Sequence, residues 1–439
     1  MAWKSLEFSA VGLLLAPSLA SASTFSTECT LPAESTTLVT SANIRGTFDI
    51  LWSGLFTIFI CIWTVQHLNV PEQRNGRDQG WRGDLKWAWK GFFTKLKWMI
   101  FTMILPEFLV AKAFAEMTTA RKSMQLVKSP AFWQGRKLSE AEVSNWTRTH
   151  AFYAEMGGFV IRPHADRSDF RTVATSEIFM LRKMGSLATL PTITAEHLND
   201  LSNGDSFTKG AAIAQVSWMV VQVIVRASRR LPITQLEITA CGFAASTFLT
   251  YLLWWKKPQA IRSTTELPLS ADTDIDADLL EITLSTYHRA FALRELLLVK
   301  RSDRALMPNE SMPNDSVVRD ADIRFVAGIL LGGLMLGSVQ CAAWNFNFPT
   351  AVELFLWRYL SIVTITAYPA MYIVGIILKT ALDYFELAPN INWVFPFYAT
   401  IALYSVARLF ILFETIYTLF HLPPGAFVSS WSSSIPHLA

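Results

Sequence analysis

Glu107, Arg408 and Glu414 lie inside apolar stretches, with Lys112 near the end of one, and any chemistry would be sought there first. Glu107 falls near the centre of WMIFTMILPEFLVAKAFA at 98–115, while Arg408 and Glu414 share the run that ends at Tyr417. A charge held in lipid costs several kcal/mol, so such groups face a partner or a water-filled cavity. One reading is a polar cavity lined by Glu107, Arg408 and Glu414 that handles a substrate or a proton, with a glutamate as general acid. The plainer reading is interhelical ion pairs that fix a bundle. Arg408 and Glu414 stand six residues apart, off one helix face, so each needs a partner from another helix. Glu353, Arg358, His67 and Asp383 border the apolar runs.

Other constellations carry less. Asp272, Asp274, Asp276 and Asp278 alternate in SADTDIDADLL, but Ala277 stands where a calcium loop needs glycine and Thr283 where it needs glutamate. The segment reads as a solvated acidic linker. Cys29, Cys61, Cys241 and Cys341 have no metal-ligand spacing and read as structural thiols. Neither a phosphate-binding glycine loop nor a HExxH or GxSxG motif occurs. No cofactor and no metal site is expected.

The elements that must position the ionisable groups are membrane helices. The chain has 439 residues, 51% hydrophobic and only 17% charged, against about 25% charged in an ordinary soluble domain. Residues 1–22 have the parts of a secretory signal: Lys4, the apolar core FSAVGLLLAP, and the small residues Ala20-Ser21-Ala22. A lumenal tail would follow over 23–49. Seven spans are then expected, at Ile50–Val70, Trp98–Ala115, 210–226, 238–255, Phe325–Trp344, Trp357–Leu378 and Trp393–Tyr417. The third and fourth form a hairpin over 209–258 whose turn holds Arg226, Arg229 and Arg230. The second is ambiguous: Pro106 and Glu107 sit at its centre, so both a kinked span and a re-entrant segment fit. Gly333 and Gly337 in the fifth permit close helix approach. Trp52, Trp98, Trp254, Trp255, Trp344, Trp357 and Trp393 read as interfacial belts.

Orientation follows from short loops. Residues 71–97 hold Arg74, Arg77, Arg82, Lys86, Lys90, Lys95 and Lys97. With a lumenal N-terminus and seven spans, this segment and the arginine turn are both cytoplasmic. The long loops 116–208 and 259–324 are then lumenal, with the acceptor sequons at Asn145, Asn309 and Asn314 open to glycosylation. A re-entrant second segment would invert every later side. Within the first loop, Gly157-Gly158 predicts a break between a helix and an extended piece, and a threonine cap predicts a helix around 195–203. The second loop has a disordered composition from Arg262 to about Asp278 and from Ser302 to Asp322. A tail over 418–439 closes the chain.

Several blocks carry a family resemblance: RGTFDILWSGLFTIFICIWTVQHLNVPEQ at 45–73, HAFYAEMGGFV at 150–160, and the hairpin ending YLLWWKKP at 258. Further along come CAAWNFNFPTAVELFLWR at 341–358, VARLFILFE at 406–414 and WSSSIPH at 431–437. On these, the chain resembles a large group of fungal multi-pass membrane proteins of unknown function. The resemblance implies a fungal source and a helical membrane fold, and it brings no established activity. Such proteins are sometimes found beside fungal natural-product genes. Where members usually show Cys-Ile-Ala-Arg, this chain has Val223-Ile224-Val225-Arg226, so any role for that cysteine falls away.

The expectation is thus an all-α polytopic transmembrane bundle with two long, partly helical extramembrane loops, in the endoplasmic reticulum or another secretory-pathway membrane. Its expected partners are the lipid bilayer and a lipophilic small molecule; a net charge of +3 gives no footing for nucleic acid. Three functions stay open: an accessory membrane protein, an enzyme such as a cyclase acting on an isoprenoid or polyketide, and a transporter or receptor. The sequence shows no internal repeat of the kind a transporter would carry.

Overall fold

A computed structural model describes residues 45–74, 76–162, 170–202, 206–270, 290–292, 311–312, 314, 316–318, 322–384 and 394–429. The signal-like segment, Cys29, the aspartate run, Asn309, Trp393 and the WSSSIPH block lie outside them, as does the side chain of Asp383. The expected all-α architecture is what the structure has. Six helices are long and apolar enough to cross a membrane, or seven if one bent pair counts as a span. They are α1 (Thr47–Val65), α9 (Ser206–Ser228), α10 (Gln235–Leu253), α11 (Asp322–Cys341), α12 (Ala351–Tyr384) and α13 (Val394–Tyr417). The bent pair is α2 (Trp81–Ile104) and α3 (Pro106–Val127).

Two ends of the bundle can be told apart by their contacts. At the arginine end, Arg45 before α1 pairs with Glu237 at the start of α10 (2.6 Å), and both are buried. Arg226, at the end of α9, is also fully buried there. Its guanidinium donates to the carbonyls of Pro232 (2.8 Å), Val428 (3.0 Å), Ala426 (2.9 Å) and Gly425 (3.3 Å). It therefore straps the segment after α13 onto the hairpin turn. A planar five-donor fork suits this clustering of carbonyls. Placed by the sequence in the hairpin's basic turn, Arg226 is a structural clamp there; Arg229 and Arg230 are exposed.

At the opposite end a folded unit covers the bundle. It comprises α4 (Pro130–Trp133), α5 (Glu140–Asn145), α6 (Arg148–Glu155), α7 (Thr175–Met184) and α8 (Ala195–Asp200), with β1 (Phe159–Ile161) and β2 (Arg171–Thr172). Its core of Trp133, Trp146, Phe152, Tyr153, Phe159 and Phe179 is continuous with Val65 of α1 and Trp254 beyond α10. The described residues of 116–202 thus form a packed unit. Trp254 and Trp357 are core residues, whereas Trp52 and Trp255 are exposed as belt residues should be.

Local signals hold inside this unit. Gly157 takes φ +76 between α6 and β1, at the expected break. Thr194 caps α8 by accepting from the amide of His197 (3.2 Å). The expectation of disorder from Arg262 onward is corrected over β3 (Thr265–Glu266), which pairs in parallel with β1 while β2 pairs antiparallel on the other side. The strand has a partner because the chain leaving α10 runs back along the folded unit. Further on, β4 (Ala290–Ala292) pairs antiparallel with β5 (Ser316–Val318).

Candidate functional site

The break between α2 and α3 is dictated locally. Pro106 has no amide to give and disfavours helical geometry at the residue before it. Leu105 accordingly sits at φ −126, ψ 62, and the axes bend by 105°. Pro106 then starts α3 at the first helical position, where a missing amide costs nothing.

Contacts place both arms of the bend at the domain end. Trp98 and Thr102 of α2 accept from Gln66, just beyond α1. Lys90 pairs with Glu72 (2.6 Å), also beyond α1. On the other arm, Glu116 of α3 pairs with Lys257 beyond α10 (2.6 Å). Both arms thus meet the rest of the chain at one end of the bundle, the arrangement a re-entrant segment requires.

That turn carries Glu107 to the middle of the bundle, in the first turn of α3, where unpaired amides give the helix a positive end. Close approach is possible because α11 presents glycine. A Cβ on Gly332 would stand 3.1 Å from Glu107 Cα, and one on Gly328 only 2.5 Å from Ala111 Cα. Gly333 and Gly337 face α12 instead, against Thr364 and Ile365. Two small-residue stripes on one helix thus serve two neighbours.

Around Glu107 stand Arg408 and Tyr404 of α13 and Tyr368 of α12, with Phe243 of α10 against Arg408. Arg408 supplies the countercharge acting on Glu107, and the Tyr404 hydroxyl lies beside the carboxylate. The guanidinium stands 5.7 Å from the centroid of Phe243, and the Tyr368 and Tyr404 rings meet at 4.9 Å. Glu107, Arg408 and Tyr404 are at most 2% exposed. Yet both Glu107 oxygens, the Tyr404 hydroxyl and all three Arg408 nitrogens make no hydrogen bond of normal geometry to the described residues.

Glu414 does not join this group. It lies toward the arginine end, where its electrostatic neighbour is Glu353, itself capping the start of α12 through the Thr350 amide (3.0 Å). A single cavity lined by Glu107, Arg408 and Glu414 is therefore corrected to a pair with Tyr404, plus one remote carboxyl. Arg358 is spent on the Trp344 carbonyl (2.9 Å) and Asn345 (3.0 Å). His67 packs on Trp254, with ring centroids 5.0 Å apart. Asn145 is exposed at the end of α5. Asn314 accepts from the Asn69 amide through its side chain (2.6 Å) and from Lys112 through its carbonyl.

A second buried charge cluster went unread in the sequence. Glu116 lies between Lys257 and Lys112, the latter at 3.7 Å, with Glu155 close by. Burial draws the Lys257 ammonium down to about 8, helped by Lys112 and opposed by Glu116. Burial likewise pushes Glu155 up to about 7, with the Glu116 and Glu177 charges adding and the Thr175 bonds opposing. In the folded unit, burial would raise Glu142, but Arg182 (2.8 Å) and the amides of Ser139 and Leu190 prevail and hold it at about 2. Glutamates inside mixed-composition segments gave no periodic signal. Glu237 did: three residues after Thr234, it completes a capping box.

One family model, described as a family of unknown function (DUF8562), matches residues 18–304, about two thirds of the chain. The match takes in Glu107 and ends before α11, so Tyr368, Tyr404 and Arg408 lie beyond it. No curated protein and no solved structure matches the chain.

Proposed function

The chain belongs to this family of unknown function, and from that premise we propose a membrane protein whose bundle centre binds a lipophilic small molecule. The observation behind this reading is the set of buried polar atoms on Glu107, Tyr404 and Arg408 that make no hydrogen bond of normal geometry among the described residues. Buried polar groups are nearly always hydrogen-bonded, so a cluster of exceptions asks for a ligand or water to complete it. The start of α3 at mid-bundle adds a positive helix end, as broken helices do at polar sites within membranes. A ligand with an apolar body and one carbonyl or carboxylate oxygen fits this chemistry, its oxygen accepting from Arg408.

Native mass spectrometry of the full chain released from mild detergent tests it. The expected result is a small-molecule adduct on the wild type that is lost in Arg408→Gln. Identical adduct profiles would overturn the reading. The adjacency of Glu107 and Tyr404 favours a catalytic extension, in which Glu107 donates a proton to the bound oxygen or to an isoprenoid alkene. Glu107→Gln would then keep the adduct unconverted, as judged by the metabolite profile of the expressing strain.

Sidedness follows the same reading. With a lumenal N-terminus behind a cleaved signal, the re-entrant pair puts α2, the folded unit and Asn145 on the cytoplasmic side, and Asn145 and Asn314 unglycosylated. A fungal, natural-product setting rests on the resemblance of the sequence blocks alone.

A further inference from the structure

The outward face of α2 has none of the described residues packed over it. Trp81, Leu85, Trp89, Phe92, Phe93 and Ile100 recur at helical spacing along one stripe and are between 45% and 71% exposed. Seven cations and three anions fall within 71–97. Arg74, Arg77, Lys86 and Lys90 are matched by Asp84, Glu72 and Asp78. Arg82, Lys95 and Lys97 have no carboxylate partner among the described residues. Each stands instead over an indole: Arg82 over Trp81 (5.3 Å), Lys95 over Trp63 (4.1 Å) and Lys97 over Trp98 (5.8 Å).

The level of these cations in the bilayer can be read from α1. Trp63 lies two residues before the end of that spanning helix, so Lys95 above it sits at headgroup depth at the domain end. The stripe also continues from the exposed apolar face of α1, which includes Trp52, Leu55 and Phe59. Apolar side chains so exposed at that depth must lie in lipid, and the uncovered cations then meet the headgroups.

We propose that α2 is an in-plane anchor that binds anionic phospholipid headgroups through Arg82, Lys95 and Lys97 while its aromatic stripe lies among the acyl chains. A surface rich in phosphatidylserine or phosphatidylinositol lipids has the matching charge. The inference does not depend on what occupies the site around Glu107.

Hydrogen exchange of the full chain in nanodiscs tests it, comparing phosphatidylcholine alone with a mixture containing phosphatidylglycerol. Amides across 81–97 should exchange about tenfold more slowly in the anionic discs, and added salt should erase the difference. The triple variant R82Q/K95Q/K97Q should exchange alike in both lipids. Equal exchange of the wild type in the two lipids would overturn the proposal, and so would a difference that survives salt or the triple substitution. The salt arm uses only the wild type, so it decides the matter even if the variant fails to fold.

Discussion

Arg408 places a guanidinium in the protein interior with no hydrogen bond of normal geometry among the described residues, opposite a carboxylate in the same condition. Removing one member of such a pair strands the other, which costs about 3–5 kcal/mol, whereas replacing both is far milder. Glu107→Gln and Arg408→Met should therefore each lower stability by about that amount in denaturant titrations of the detergent-solubilised chain. The double variant should lose clearly less than the sum. Additive losses would mean that the two side chains do not act on each other. Outside the spanning helices, one pH response belongs to Glu155. Its carboxyl titrates at about 7 in the fold against 4.5 otherwise, so the unfolded chain releases the proton first. The stabilisation is complete below pH 4.5 and is lost as pH rises through about 7. Partial exposure keeps the loss to about 2 kcal/mol. Glu155→Gln should flatten the melting temperature over that interval. At this scale Glu107 and Arg408 were legible as charges in apolar runs. Tyr404 and Tyr368 were not, because a single tyrosine in such a run looks like an interfacial anchor.

At the scale of elements, two helices have opposite tolerance for bulk. A methyl group at Gly328 meets the Ala111 backbone at 2.5 Å, and α3 cannot yield without moving Glu107. Gly91 in α2 has open space around it. Gly328→Ala should cost about 1–3 kcal/mol through overpacking. Gly91→Ala should be neutral or stabilising by up to about 1 kcal/mol, since alanine is the better helix former. Thermal unfolding of the two variants side by side checks this, and equal tolerance would contradict the packing. Spanning helices were legible because an uninterrupted apolar run of their length has few other fates. The folded unit over 116–202 was not: its core is built from aromatics scattered through short helices, none long enough to impose a period. The clamp made by Arg226 was not legible for a related reason, since its carbonyl partners at 425–428 are distant in sequence.

For the whole molecule, the decisive feature is the turn at Pro106. It brings Glu107 to Arg408, returns the chain to the end where the folded unit lies, and leaves the aromatic stripe of α2 exposed. Proline, glutamate and lysine in one apolar run were enough to mark the place. They did not fix the outcome, because crossing and returning bury the same residues to similar depth; Gln66, Glu72 and Lys257 hold both arms at one end through contacts distant in sequence. The most direct test is the accessibility of single cysteines to an impermeant maleimide in sealed vesicles, on a background with the four native cysteines replaced by serine. Lys86→Cys in α2 and Ser144→Cys in α5 should react from the same side, and Arg229→Cys in the hairpin turn from the opposite one. Labelling of positions 86 and 144 from opposite sides would mean that α2 and α3 cross the membrane, and would contradict the account.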